Sequence, residues 1–338
     1  MAEVGGIWHG GALDKAIARF GGRREQWLDL STGINPRPWP VPRLERDAWE
    51  RLPEAQAETR LLDTARSFYG VGDDSGIALS PGTQALIELL PRLLPGKTAA
   101  IVSPASGTYR EHANCCVKAG RAVSHFERAQ EAKGDIVIVV RPNNPDASLV
   151  AEDDMRLLAQ RLTAEGNWLI VDEAFCDPVP GESLASKLDG NVIILKSFGK
   201  FFGLAGVRLG FAIGPASMTT MIGERFGPWS VSGPALASGH LAMTDAGWIE
   251  QTRQWLHNQS LQVGEIVQRH GLKLEGRNGL FVLARTADGM EMYEKLARRH
   301  ILVRPFPDRP GLLRFGIPGS DDGLARLSAA LRETCDRT

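Results

Sequence analysis

Between about residues 77 and 214, short β-branched runs alternate with amphipathic helical patterns, and few architectures accept such a chain. Ile77–Ser80, Thr98–Val102, Arg121–Phe126, Asp135–Val140, Trp168–Val171, Asn191–Leu195 and Leu209–Gly214 read as strands. In the first intervening helix Leu86, Leu89, Leu90 and Leu93 fall at i, i+3, i+4 and i+7, which gives one apolar face. Further helical patterns cover 108–119 and 152–165. Alternating βα units predict an α/β fold whose mostly parallel sheet is covered on both faces. Beyond Gly214 the texture changes. Helices over 215–226, 233–243 and about 246–270 lead to strand 280–284, helix 288–299, strands 301–304 and 312–316, and helix 321–334. A second, smaller α+β domain is therefore expected to begin near 245.

A chain of 338 residues is long enough for one large domain or two closely packed ones. Its net charge of −1 gives no electrostatic reason to expect nucleic acid or an anionic membrane as partner. No apolar run approaches the roughly 18 residues of a membrane span. Met1–Trp8 lacks the basic and apolar regions of a signal peptide, so a cytoplasmic location is expected. Cys115, Cys116, Cys176 and Cys335 show no metal-ligand spacing, and no metal is expected.

The stretch Ser197-Phe-Gly-Lys200-Phe-Phe-Gly-Leu-Ala-Gly-Val-Arg208-Leu-Gly210 joins two of the predicted strands. A lysine just beyond a buried strand is placed to be desolvated, which makes its free amine a nucleophile, and the nearby hydroxyl and guanidinium suit a phosphate. An ordinary surface loop with a solvated lysine is the plain alternative. Gly82-Thr83 opens a helix, where exposed N–H groups and the positive dipole end suit an anion, although a simple N-cap would look the same. Asn144 and Asp172 end predicted strands, where ligands sit in open α/β sheets and where turn formers also occur. Arg304 and Arg314 lie in otherwise apolar strands and call for anionic partners.

Taken in order, Gly82-Thr83, Tyr109, Asn144, Asp172, Lys200, Arg208 and Arg314 resemble the motif set of the aspartate-aminotransferase (fold type I) superfamily of pyridoxal phosphate (PLP) enzymes. Asn144 and Asp172 are 28 residues apart, Asp172 and Lys200 another 28, and Lys200 and Arg208 eight. The resemblance spans nearly the whole chain. It implies a large PLP-binding domain over 36–244 with a mostly parallel, seven-stranded-type sheet, and a smaller α+β domain made of 1–35 and 245–338. It also implies that Lys200 forms the Schiff base with PLP and later moves protons, and that Asp172 pairs with the pyridinium nitrogen. Asn144 would donate to the ring's hydroxyl oxygen, Tyr109 would stack on the ring, and Gly82, Thr83, Ser197 and Arg208 would hold the cofactor phosphate. Arg314 would receive the substrate α-carboxylate. A homodimer is implied too, with the connector over 36–56 reaching across.

Within the superfamily, His9-Gly-Gly11, Ser31-Thr-Gly-Ile-Asn35-Pro36, Asp172-Glu-Ala-Phe175 and Pro228-Trp-Ser-Val231 resemble the threonine-phosphate decarboxylases of cobalamin biosynthesis. Histidinol-phosphate aminotransferases are near relatives of that branch. The resemblance implies a phosphorylated amino acid as substrate, L-threonine O-3-phosphate; with Arg314 assigned to its carboxylate, Arg304 and His9 are left without a task and are expected, with Asn35, to be the other substrate-binding residues. An aminotransferase of histidinol-phosphate type stays open, because both reactions can use every residue named. So does a catalytically silent PLP-fold assembly partner. Three positions depart from the pattern: Gly199 replaces a hydroxyl residue, Leu52 stands where a tyrosine reaches the neighbouring subunit's cofactor phosphate, and Asp146 stands where threonine is usual.

Overall fold

The computed structural model describes residues 10–179 and 181–335, and His9 therefore lies outside the described residues. The chain forms two units. The larger holds Pro38–Asn144 and Ser148–Thr252; the smaller holds the described residues up to Arg37, Pro145–Ala147 and those from Arg253 onward. The division falls inside the helix Ala246–Arg269 rather than at residue 245. The first turns of that helix belong with the larger unit because Trp248 stacks on Phe202, with ring centroids 5.7 Å apart.

In the larger unit seven strands form one sheet, in the order Ser75–Ser80, Gly210–Pro215, Val192–Ser197, Trp168–Asp172, Ile136–Val140, Thr98–Val102 and Ala122–Phe126. All neighbouring pairs are parallel except the two made by Gly210–Pro215, which runs antiparallel to both its neighbours. The inner strands Ile136–Val140 and Val192–Ser197 are buried almost throughout, which is why they read as unbroken apolar runs rather than alternating ones. The edge strand Ala122–Phe126 is largely exposed and carries serine and histidine accordingly. Leu86, Ile87 and Leu90 of the helix Thr83–Leu93 pack into a core with Ile101, Ile138, Ile170 and Ile193.

Arg121 does not begin the edge strand. Its buried guanidinium instead takes the carbonyls of Pro91, Leu94 and Pro95 at the end of the helix Thr83–Leu93, and the strand starts one residue later. These are the carbonyls that a helix C-terminus leaves without intrahelical partners.

The smaller unit is a four-stranded antiparallel sheet, ordered Arg304–Pro305, Leu312–Gly316, Phe281–Arg285 and Lys273–Asn278, with helices Gly289–Ala297 and Asp321–Cys335. The N-terminal segment is sewn into it: Leu28–Asp29 pairs in parallel with Ile301–Leu302, and Gly316 N donates to Leu30 O at 2.7 Å. This second pairing breaks the expected strand over 301–304. Ile301–Leu302 faces the N-terminal segment, and after Val303 the chain turns its hydrogen bonds to Leu312–Gly316. Among the described residues no helix is long and apolar enough to cross a membrane.

Candidate active site

Parallel strands put their carboxyl ends on one side of the sheet, and register decides which residues meet there. Val140 pairs with Asp172, so two adjacent strands end level, and Asp172 pairs with Leu195, two residues before the third strand ends at Ser197. Beyond them come Asn143-Asn144, Glu173 and Lys200 respectively. On the far side Gly210 pairs with both Ser80 and Ser197, and this brings the Gly82-Thr83 turn against the start of the lysine loop.

Gly82, Thr83, Ser197 and Arg208 come together as a result. Gly82 has φ +84° and is the N-cap of the helix Thr83–Leu93. The Arg208 guanidinium fills the place that a Cβ on Gly82 would take. A Cβ on Gly210 would lie 2.7 Å from Thr83 N, so both glycines are required by close approach. Thr83 Oγ1 donates to Lys196 O at 3.0 Å, tying the helix start to the lysine strand. Arg208 itself sits in the left-handed region at φ +57°, uncommon for a non-glycine residue, and its Nη1 donates to Ala205 O at 3.0 Å. Helix-terminal amides, hydroxyls and a guanidinium are the groups that can hold a phosphate monoester.

Asp172 is 3% exposed. Ala174 N donates to its Oδ1 at 3.0 Å, and the buried His112 places Nε2 2.8 Å from Oδ2. The Tyr109 ring stands edge-on to His112 with centroids 6.0 Å apart, and Tyr109 OH donates to Gln84 Oε1 at 3.3 Å. Asn143 organises the loop before Asn144: its Nδ2 donates to Gly107 O at 2.9 Å, and its Oδ1 accepts from Thr108 Oγ1 at 2.7 Å. Asn144, itself buried, is thereby held in the same part of the unit as Tyr109. Lys200 is half-buried in the short helix Phe198–Phe201, with Nζ 5.4 Å from the centre of the buried Phe175 ring.

The eight residues expected to bind a cofactor thus all lie in the larger unit. Arg304, Arg314 and Asn35 lie in the smaller unit. Arg304 and Arg314 are direct cross-strand partners, and the buried Arg314 donates through Nη2 to Ser31 O at 3.2 Å and lies over Phe281 at 5.0 Å. Asn35 is buried, and its Oδ1 accepts from Arg37 N at 2.9 Å.

Two features escape a reading of the sequence. His112 is one histidine inside a helix, and its only signal is its position three residues after Tyr109. Lys196 follows the apolar run Val192–Leu195 within the same strand, and its only signal is that a lysine inside a buried strand needs a partner. Among the departures, Gly199 has a structural cause: a Cβ there would lie 2.7 Å from Ala205 Cα, so the turn leaves no room for a hydroxyl side chain. Leu52 is 63% exposed beside a groove of about 270 Å³ lined by Asp47, Arg51, Arg60 and His240 among others.

The family model for aminotransferases of class I and II matches residues 35–331. A protein of Sinorhizobium described as threonine-phosphate decarboxylase is 39% identical over 96% of this chain and 97% of its own length. One of the same description from Pseudomonas aeruginosa is 38% identical over 96% of each. Among solved structures, histidinol-phosphate aminotransferase from Clostridium acetobutylicum superposes with a TM-score of 0.78 at 21% identity, covering 91% of this chain and 99% of that one. With a mostly parallel sheet of this order and a sequence matched almost from end to end, the chain is a member of the aminotransferase class I and II family.

Proposed function

We propose that the chain is a PLP-dependent decarboxylase that converts L-threonine O-3-phosphate to (R)-1-aminopropan-2-yl phosphate and carbon dioxide, a step of cobalamin biosynthesis. The names of the relatives at 38% and 39% identity support the reaction. The structural observation that carries it is the register of Arg304 opposite Arg314. Like charges directly opposite one another across two strands repel, so two arginines in one cross-strand pair favour a dianionic partner. Threonine phosphate offers a carboxylate and a phosphate only a few bonds apart.

The larger unit fits the cofactor. The cradle of Gly82, Thr83, Ser197 and Arg208 suits its phosphate, and its depth depends on the missing side chains of Gly82 and Gly210. Asp172, with one partner on each oxygen and almost no exposure, is a carboxylate fixed for a ring nitrogen. Asn144 would donate to the ring hydroxyl, Tyr109 would cover the ring face, and Lys200 would supply the amine. Bound there, PLP supplies an aldehyde carbon and an electron-accepting ring. The protein's own part is to bind, orient and move a proton. Arg314 takes the substrate carboxylate in a two-point contact that fixes orientation as well as charge, and Arg304 takes the phosphate. Breaking the bond from Cα to the carboxylate releases carbon dioxide, and Lys200 Nζ delivers the proton that takes its place at Cα. The apolar Phe175 ring, 5.4 Å from Nζ, would help to keep water from that position once substrate is bound.

Leu52, 63% accessible in the lining of the groove described above, and Trp49, 68% accessible three residues earlier, support a homodimer that covers them. Sedimentation velocity should find a two-chain species, and a fully active single chain would contradict it.

The reaction is tested by incubating the PLP-loaded protein with threonine phosphate and no keto acid. Carbon dioxide and aminopropanol phosphate should form in equal amounts. No release, together with amino transfer to 2-oxoglutarate, would make the chain an aminotransferase instead.

Arg304→Ala should raise KM for threonine phosphate roughly 10–100-fold, the scale of a lost charged hydrogen bond, with an unchanged cofactor spectrum. An unchanged KM would remove Arg304 from the substrate site.

A further inference from the structure

The lysine strand carries a second lysine that the chemistry above does not use. Lys196 is 1% exposed, in the middle of the sheet, and its Nζ lies 2.6 Å from Glu173 Oε2 and 3.5 Å from Asp177 Oδ1. The Tyr69 ring closes the cluster, with its centroid 4.8 Å from Nζ. Glu173 is 0% exposed and its carboxylate is fully engaged: Ser183 Oγ donates to Oε2 and Leu184 N to Oε1, each at 2.7 Å. Burial pulls the Lys196 pKa down, but the charges of Glu173 and Asp177 outweigh it and hold the ammonium above its ordinary value.

A buried ion cluster of this kind is seldom the most stable filling for a sheet, since apolar side chains of similar volume avoid its desolvation cost. Its position suggests what it does instead. Glu173 is the residue after Asp172, and Lys196 stands four residues before Lys200. The backbone repeats the link, because Glu173 N donates to Leu195 O at 3.0 Å. Lys196 O accepts from Thr83 Oγ1, so the same residue also touches the start of the phosphate cradle. Three strand ends that must keep their spacing therefore meet on one side chain and its own carbonyl.

We propose that Lys196 is a positioning residue: its ammonium, clamped by Glu173 and Asp177, locks the strand leading to Lys200 against the strand end that carries Asp172. Main-chain hydrogen bonds fix the register of these strands and reach into residues 173–177 at Glu173 N and Cys176 N, and the side-chain ion pair adds a hold on the far end of that loop at Asp177. The ion pair ties that loop down from inside the sheet. This inference rests on the PLP reading of the site, because the spacing of Asp172 and Lys200 matters only if both face one cofactor. A 1 Å error in such a spacing is enough to cost about a hundredfold in rate.

Three variants test it: Lys196→Arg, which keeps the cation; Glu173→Gln, which leaves the ammonium with Asp177; and the neutral pair Lys196→Met with Glu173→Gln. Each is measured in two ways, by amide hydrogen exchange of the cofactor-free protein and by absorbance titration with PLP. In the Gln variant and the neutral pair, peptides covering 172–177 and 197–203 should exchange faster while the rest of the sheet keeps its protection. Their PLP dissociation constants should rise by at least about tenfold, the scale of coupling within one ion-pair network. Lys196→Arg should stay within about threefold of the parent, a difference under 1 kcal/mol. Unchanged exchange in those two peptides overturns the inference, as does an Arg variant as impaired as the neutral pair. Failure of both the Gln variant and the neutral pair to fold also overturns it, because the cluster would then serve stability alone. If the parent protein binds no PLP, the cofactor reading fails, and the exchange data still decide whether Lys196 holds the loop.

Discussion

Gly210 has Ser80 on one side and Ser197 on the other, and the rest of the site depends on that double pairing. Its strand runs antiparallel to the strands on both sides of it. It brings together a helix start and a lysine loop that lie far apart in sequence. The contact is close enough that any side chain on Gly210 would meet the Thr83 amide. Arg208, two residues earlier, is held in a left-handed conformation that aims its guanidinium at Gly82. Such a conformation costs on the order of 1–3 kcal/mol for a non-glycine residue and persists where surrounding structure over-determines it. The strained Arg208 and the two close glycines meet at the positive end of one helix.

The fold class was legible because its signals are coarse. Strands buried on both faces, such as Ile136–Val140, are continuous apolar runs, and the helix Thr83–Leu93 shows its core face at helical spacing. Boundaries failed where a side chain had another task. Arg121 reads as the start of a strand from its apolar neighbours, yet its guanidinium serves the end of a helix about thirty residues earlier. The run over 301–304 reads as one strand but pairs with two different partners, and pairing between distant segments leaves no periodic trace.

Within the candidate site the legible residues were those at strand ends and in glycine-rich turns, where local pattern marks the positions proposed to meet ligand. Lys200, Asp172, Asn144 and the Gly82-Thr83 turn all stand at such places. The supporting residues were not legible. His112 gains its meaning only from the 2.8 Å approach to Asp172, 60 residues away. Lys196 gains its meaning only when Glu173 and Asp177 fold back over it. The cross-strand pairing of Arg304 with Arg314 likewise comes from a register that sequence does not show. Position in the chain pointed to the groups that would touch ligand; the groups that hold them became visible only in three dimensions.

The central claim is that Lys200, among all the lysines of the chain, is the one presented to the cofactor, and that the buried Lys196 is not. Borohydride reduction of the PLP-loaded protein, followed by peptide mass spectrometry, addresses it directly. The account predicts a pyridoxyl group on Lys200 and none on Lys196. A label on Lys196 or on any other lysine, with Lys200 unmodified, would contradict it.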